Sequence, residues 1–345
     1  CDTIANSNSV LIETSVRYYI YLMIRHVKIR ILLICLALPV NHMLAQDAES
    51  FAFYFNPVQA NPALAGSEGP GKLRLMYRDY YPGRGLRLFS VSSSYDSYLE
   101  SIHGGFGLYV SENLLGDLLS DTRAGAAYSY HLRASRELYI NAGFLASVIH
   151  RGMDAGRIVL PDQLDPLMGA VLPSGEIINP VSRTVFDAGL GFLFMYRDYH
   201  AGIAVNHIFN PDLMGQGFDE AVPGRRLSVH GGAVFSSRKE LSIRPGFILN
   251  VQNGDYMAAM GLSVGYNILS FNILPFFDLR RGLSYIQSGL YLETGIFELA
   301  YNYNFTPLRT ANLQPLTLSN QVSLAITLFN SEKRAIPRTI NYPKM

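Results

Sequence analysis

Beyond residue 70 the apolar residues of this chain alternate with polar or small ones, and a period of two dictates β-strands. Leu73, Leu75 and Tyr77 fall on one face and Lys72, Arg74 and Arg78 on the other. Leu138, Ile140, Ala142, Phe144, Ala146 and Val148 alternate with Tyr139, Asn141, Gly143 and Ser147, and Tyr256 through Ile268 repeats the pattern against Gly261, Ser263, Gly265 and Asn267. In Phe297, Leu299, Tyr301, Tyr303 and Phe305 one face is entirely apolar; in the last strand Val322, Leu324, Ile326 and Leu328 oppose Gln321, Ser323 and Thr327. These stretches run to about ten residues, enough to cross a bilayer, whereas soluble strands average about five or six. The chain is 49% hydrophobic and 16% charged, yet after residue 45 no run approaches the roughly eighteen apolar residues of a membrane helix. The pattern predicts an all-β fold, an antiparallel transmembrane β-barrel of the outer-membrane type over residues 71–330. Turn signals divide it into about fourteen strands, with twelve or sixteen also compatible with them, all even numbers as bacterial barrels require.

The N-terminal region sets the compartment. Met23 opens a stretch with basic Arg25, His26, Lys28 and Arg30, an apolar core from Ile31 to Leu38, then Pro39 and a small residue at Ala45. That order is a secretory signal peptide over 23–45, with cleavage expected after Ala45. Residues 1–22 precede it and read as an upstream extension outside the mature protein. Both cysteines, Cys1 and Cys35, lie before the expected cut. The mature chain then has no thiol for a disulfide, a nucleophile or a metal site. A formal net charge of +1 gives no basic footprint for nucleic acid.

Two connections exceed hairpin length. Arg151 to Ser182 contains Pro161, Asp162, Asp165, Pro166, Pro173 and Pro180, and Asn210 to Gly224 contains Pro211, Asp212, Asp219 and Glu220. The first is the candidate extracellular or pore-covering loop; its Asp154, Asp162 and Asp165 lack the Gly-centred spacing of a calcium loop. By contrast, Ser237-Arg238-Lys239, Asn253-Gly254-Asp255 and Arg280-Arg281-Gly282 read as short polar hairpin turns. The tail 331–345 carries Lys333, Arg334, Arg338 and Lys344 and is expected on the periplasmic side.

Catalytic constellations are poor. Gly261-Leu262-Ser263-Val264-Gly265 has the form of a nucleophile elbow but lies mid-strand, where the required strand-to-helix turn is missing. His103, His131, His150, His200, His207 and His230 are dispersed, and a scattered histidine is more often a wall or loop residue than a ligand. Asn304-Phe305-Thr306 fits a glycosylation acceptor in form only. No cofactor site is expected.

The segment 46–70 carries the most specific motif. It contains Gln46-Asp47, Phe53-Tyr54-Phe55, Asn56-Pro57, Asn61-Pro62-Ala63 and Ala65-Gly66, followed by Tyr77, Arg78, Pro82 and Gly83. Each proline fixes its own φ and pushes the preceding Asn into an extended or turn conformation, giving a stiff double turn. Together with Gly104-Gly105-Phe106-Gly107, Asp187-Ala188-Gly189-Leu190-Gly191 and Gly202 through His207, this motif resembles the PorP/SprF membrane proteins of the type IX secretion system. It departs at Tyr80 and Tyr81, where a Trp often precedes the Pro; this chain has none.

The resemblance implies a non-enzymatic outer-membrane component that supports export or surface retention of proteins with C-terminal sorting domains, gliding-adhesin-like substrates among them. Its implied partners are the translocon, the periplasmic ring or peptidoglycan-linked subunits, a secreted surface protein and outer-membrane lipid. Phe53, Tyr54, Phe55, Asn56, Pro57, Asn61, Pro62, Ala63 and Gly66 are the candidates for docking a partner or plugging the barrel, at the periplasmic mouth or inside the lumen. Two alternatives stand beside this reading: a porin-like solute barrel, favoured by an open lumen lined by Arg74, Arg78, Glu293 and Glu298, and an outer-membrane hydrolase using Ser263 or another serine with a histidine.

Overall fold

The computed structural model describes residues 56–69, 71–83, 87–154, 163–165, 169–170, 181–213, 223–237, 241–307 and 318–329. Phe53 to Phe55, the expected signal peptide and the basic tail lie outside them. So do most of both long connections and the turn residues Arg238 and Lys239.

The described chain opens with one helical turn, α1 (Pro57–Ala60), and a 3₁₀ turn at Pro62–Leu64. Strands follow: β1 (Gly71–Tyr80), β2 (Leu88–Leu99), β3 (Gly104–Leu115), β4 (Leu119–Arg133), β5 (Leu138–Met153), the short β6 (Leu164–Asp165) and β7 (Gly169–Ala170), and β8 (Val181–Tyr196). Then come β9 (Tyr199–Asn206), β10 (Arg226–Ala233), β11 (Phe235–Ser237), β12 (Leu241–Gln252), β13 (Asp255–Tyr266) and β14 (Leu269–Asp278). β15 (Gly282–Thr294), β16 (Phe297–Phe305) and β17 (Ser319–Phe329) complete the set.

Every main-sheet pairing is antiparallel, and β1 pairs with β17 from Gly71↔Phe329 to Tyr80↔Ser319. β10 and β11 run one after the other beside β12, so the fifteen segments of the sheet form fourteen strands closed into a barrel. Closure matters physically because an open edge in hydrocarbon would leave its N–H and C=O groups without partners. β6 and β7 pair only with each other, as a small ribbon inside the first long connection.

The alternation read from sequence sorts the wall. Phe144 is 50% exposed and Met260 71% exposed, and Leu75, Tyr77, Phe192, Leu299 and Val322 also face out. Lys72, Arg78, Asn141, Ser147, Ser263 and Gln321 face in and are buried. Apolar side chains exposed all round a wall are unfavourable in water and match a lipid solvent. The outward row Glu112, Thr122, His150 and Thr184 is joined by pairings through β3, β4, β5 and β8 and marks the polar upper limit of the apolar belt on that side.

The chain enters β1 at the same end at which it leaves β17, and the turns there, such as Arg197-Asp198 between β8 and β9, are short. The long connections sit at the other end. In outer-membrane barrels the short turns are periplasmic and the long loops extracellular. At the loop-rich end Asn253 and Gly254 both have positive φ, 50° and 81°, the two-residue hairpin geometry that Asn-Gly favours.

The interior is less polar than the alternation implied. Met257, Ala259, Leu274, Phe276 and Tyr285 form one buried inward cluster, with Phe276 and Tyr285 stacked at 4.5 Å. Side chains that meet inside a closed barrel are shielded from water, so the inward face tolerates apolar residues where they touch each other.

Candidate functional site in the barrel lumen

Asn56 to Gly69 lies against the inner wall, and all of it except Glu68 is buried. Its prolines explain its shape. Pro57 and Pro62 each occupy the start of a helical turn, where a missing N–H costs nothing. Asn61 stays extended between them, at φ −148° and ψ 111°, as a residue before proline must. The double turn expected from sequence is thus one turn of α-helix and one of 3₁₀.

Asn61 is the hub. Its side chain is fully buried at 0% exposure. Oδ1 accepts from the Ala63 N–H at 2.9 Å, capping the second turn. Nδ2 donates to the Phe192 carbonyl at 3.2 Å and sits 3.0 Å from His230 Nε2. An amide nitrogen only donates, so His230 accepts there.

Wall side chains take up the carbonyls of the segment. Asn206 Nδ2 donates to the Ala60 carbonyl at 3.2 Å, while Ser129 Oγ and Asn141 Nδ2 donate to that of Ala63 at 3.0 and 3.3 Å. His131 Nε2 lies 3.1 Å from the Ala65 carbonyl and must donate. These bonds satisfy backbone groups that have no ladder partner inside the barrel.

Glycines give the segment room. A Cβ on Gly105 would overlap the Ala65 carbonyl, one on Gly143 the Pro62–Ala63 peptide, and one on Gly191 the Asn61 Oδ1. One on Gly107 would come within 2.8 Å of the Val58 side chain. The glycine-rich strands are therefore a seat cut to the backbone of the segment. Apolar contacts complete it: Ala60, Ala63 and Leu64 meet Tyr139, Leu193, Met195 and Ile248, while Val58 and Ala65 meet Tyr109, Ala127 and Leu145.

A charged group ties down the exit. Gly66, at φ +65°, donates its N–H to Asp96 Oδ2 at 2.9 Å. Glu68 pairs with Lys72 and, at 2.5 Å, with Arg74. Arg74 also pairs with Asp96, and Lys72 reaches Glu298 at 2.8 Å. The network thus joins the segment to β1, β2 and β16.

Other charges read as pore-lining are engaged as well. Arg78 donates to Gln321 through Nε at 2.8 Å. Two small cavities flank Gln59, one lined by Asn56, Met76, Arg78, Tyr80 and Asn113 among others, the other by Arg123, Leu145, Asp187, Asn206 and Arg226 among others. Each has room for about one water molecule.

The remaining candidates stay apart. Ser263 is buried mid-strand in β13, opposite Arg244 and Asn272, with no helix after it. The barrel brings His200 and His230 to 6.4 Å between ring centres, and His207 pairs with Asp187 at 2.6 Å. His150 faces outward beside Thr184 at 2.9 Å. Among the described residues no three His, Cys, Asp or Glu side chains gather as a metal site. The receptor residues of the segment, Asp96, Ser129, His131, Asn141, Asn206 and His230, were not legible in the sequence: of these only Asn141 falls in a strand whose alternation gave its face, and the two histidines stood there as dispersed ones.

The family model for the type IX secretion system membrane protein PorP/SprF matches residues 43–333. The chain belongs to the PorP/SprF family. Its motif residues Asn56, Pro57, Asn61, Pro62, Ala63 and Gly66 are those that enter the lumen. No curated protein matches the chain in sequence. Among solved structures, this PorP/SprF barrel is similar to the toluene transporter TbuX of Ralstonia pickettii, at 13% identity and a TM-score of 0.50, covering 78% of this chain and 92% of that one. The P. putida toluene transporter TodX gives 14% identity, coverage of 79% and 94%, and a TM-score of 0.45. A Pseudomonas aeruginosa FadL homologue gives 12%, 84% and 100%, and 0.43. The TbuX likeness is one of fold. Family and fold together make this PorP/SprF protein an outer-membrane β-barrel component of type IX secretion, working with the translocon.

Proposed function

We propose that the protein acts by binding rather than conduction: an outer-membrane anchor that docks the translocon, periplasmic ring or peptidoglycan-linked subunits and a cognate secreted protein with a C-terminal sorting domain. In this role it supports that protein's export or surface retention. The observation that carries the reading is the seating of Asn56–Gly69 in the lumen, bonded to β4, β5, β8, β9 and β10 and ion-paired to β1. A segment keyed to glycines in this way serves as a resident plug, with Asn61 as its fastening point. A plugged barrel offers its loops and rims, not its pore, to partners.

The porin reading finds no support in the cavities beside Gln59, which are too small for a solute larger than water. Ser263 offers a hydrolase neither an exposed nucleophile nor a turn that would present one. Deleting the gene and comparing surface proteomes tests the proposal. One or a few sorting-domain proteins should leave the surface fraction, and an unchanged surface proteome would contradict it.

A further inference from the structure

On the loop-rich end the hairpin between β14 and β15 turns through Leu279, Arg280 and Arg281. Asp278 is 3% exposed and shapes the turn, its Oδ1 accepting the Arg280 N–H at 2.8 Å and the Arg281 N–H at 3.2 Å. Both arginines of the turn are exposed. Arg280 lies over the Tyr256 ring at 5.8 Å, and Arg281 is 40% exposed, with Nη1 3.9 Å from Asp278 Oδ2.

Leu279 is 62% exposed, and Phe277 below it faces the lipid side of the wall. Among the described residues this is the one turn at the loop-rich end that joins two consecutive exposed arginines to an exposed leucine and an interfacial tyrosine. Exposed apolar side chains, Leu279 in the turn and Phe277 on the outer wall, next to two exposed arginines are the profile of a phospholipid-like ligand: acyl chains against Leu279 and Phe277, phosphate against the arginines. Guanidinium matches phosphate through two parallel N–H···O bonds, and stacking on Tyr256 pre-orders one of the pair.

We propose that the Leu279–Arg281 turn with Tyr256 is a binding site for the phosphorylated headgroup of lipid A in the outer leaflet. The site would fix the height of the barrel in the membrane and hold this sector against the lipid. It stands independently of the secretion role.

The test uses the full-length protein in detergent, titrated with diphosphoryl lipid A, with dephosphorylated lipid A and with phosphatidylcholine, bound lipid being counted by native mass spectrometry. Diphosphoryl lipid A should bind at least tenfold tighter than either comparison lipid. The double variant Arg280→Gln/Arg281→Gln should lose about that factor. Arg280→Lys/Arg281→Lys, which keeps charge but not the fork, should fall between them.

Heat-modifiable migration on gels checks that each variant is folded, and Arg133→Gln/Arg136→Gln at the opposite rim should bind like the parent. Equal binding of all three lipids would overturn the proposal. So would an unaffected Arg280/Arg281 variant, or an equal loss from the Arg133/Arg136 pair.

Discussion

Replacing Asn61 with alanine should loosen the luminal segment while leaving the barrel closed. The substitution removes the cap on the Ala63 N–H, worth about 1 kcal/mol, and the bonds to the Phe192 carbonyl and His230, each worth about 1 kcal/mol net. The loss of about 3 kcal/mol falls on seating alone, because none of the three bonds belongs to a strand ladder. At 1.4 kcal/mol per factor of ten, the unseated population should rise about 100-fold. The expected absence of cysteine from the mature chain makes this measurable: Ser67→Cys places a near-isosteric thiol at a position that is 5% exposed. When reseating is fast, its maleimide labelling rate follows the open population. Ser67→Cys with Asn61→Ala should label about 100-fold faster than Ser67→Cys alone, with heat-modifiable migration unchanged. Equal labelling rates would refute the role given to Asn61.

Gly143→Val drives side-chain carbons into the Pro62–Ala63 peptide. Combined with Ser67→Cys it should also speed labelling of the introduced thiol, a cost of at least about 1–3 kcal/mol that fast labelling would reveal and slow labelling would exclude. Glu68→Gln removes one shared carboxylate but leaves Lys72 with Glu298 and Arg74 with Asp96; about 1 kcal/mol should disappear from the urea unfolding free energy, and an unchanged midpoint would count against the network. Phe144→Arg places a charge about midway up the apolar belt and should cost about 2–4 kcal/mol of folding into liposomes, whereas a cost near zero would move the belt elsewhere. Glu137, hydrogen-bonded to Arg197 at 2.7 Å, raises that guanidinium's pKa further, yet the pair joins two exposed turns. Arg197→Ala should leave the unfolding midpoint where it was.

The wall was legible because its signal is local. Leu73, Leu75 and Tyr77 against Lys72, Arg74 and Arg78 state their own faces, and ten-residue repeats of that pattern have few soluble solutions. The Asn-Pro turns were legible too, since proline acts on its own φ and its neighbour's.

The seat was not legible, because it is made by register. Gly105, Gly143 and Gly191 lie on three strands, and only β3–β4, β4–β5 and β5–β8 pairing brings them under one segment. Read singly, each glycine is equally a bend or a crowded wall position. The inward apolar cluster around Leu274, Phe276 and Tyr285 escaped for the same reason: alternation says which way a side chain points, not what meets it there.

Ion conductance across planar bilayers tests most directly whether the segment seals the lumen. The chain from residue 46 onward should be silent, while a variant of it lacking residues 46–66 should show discrete openings. A steady open conductance from the intact protein would contradict the account.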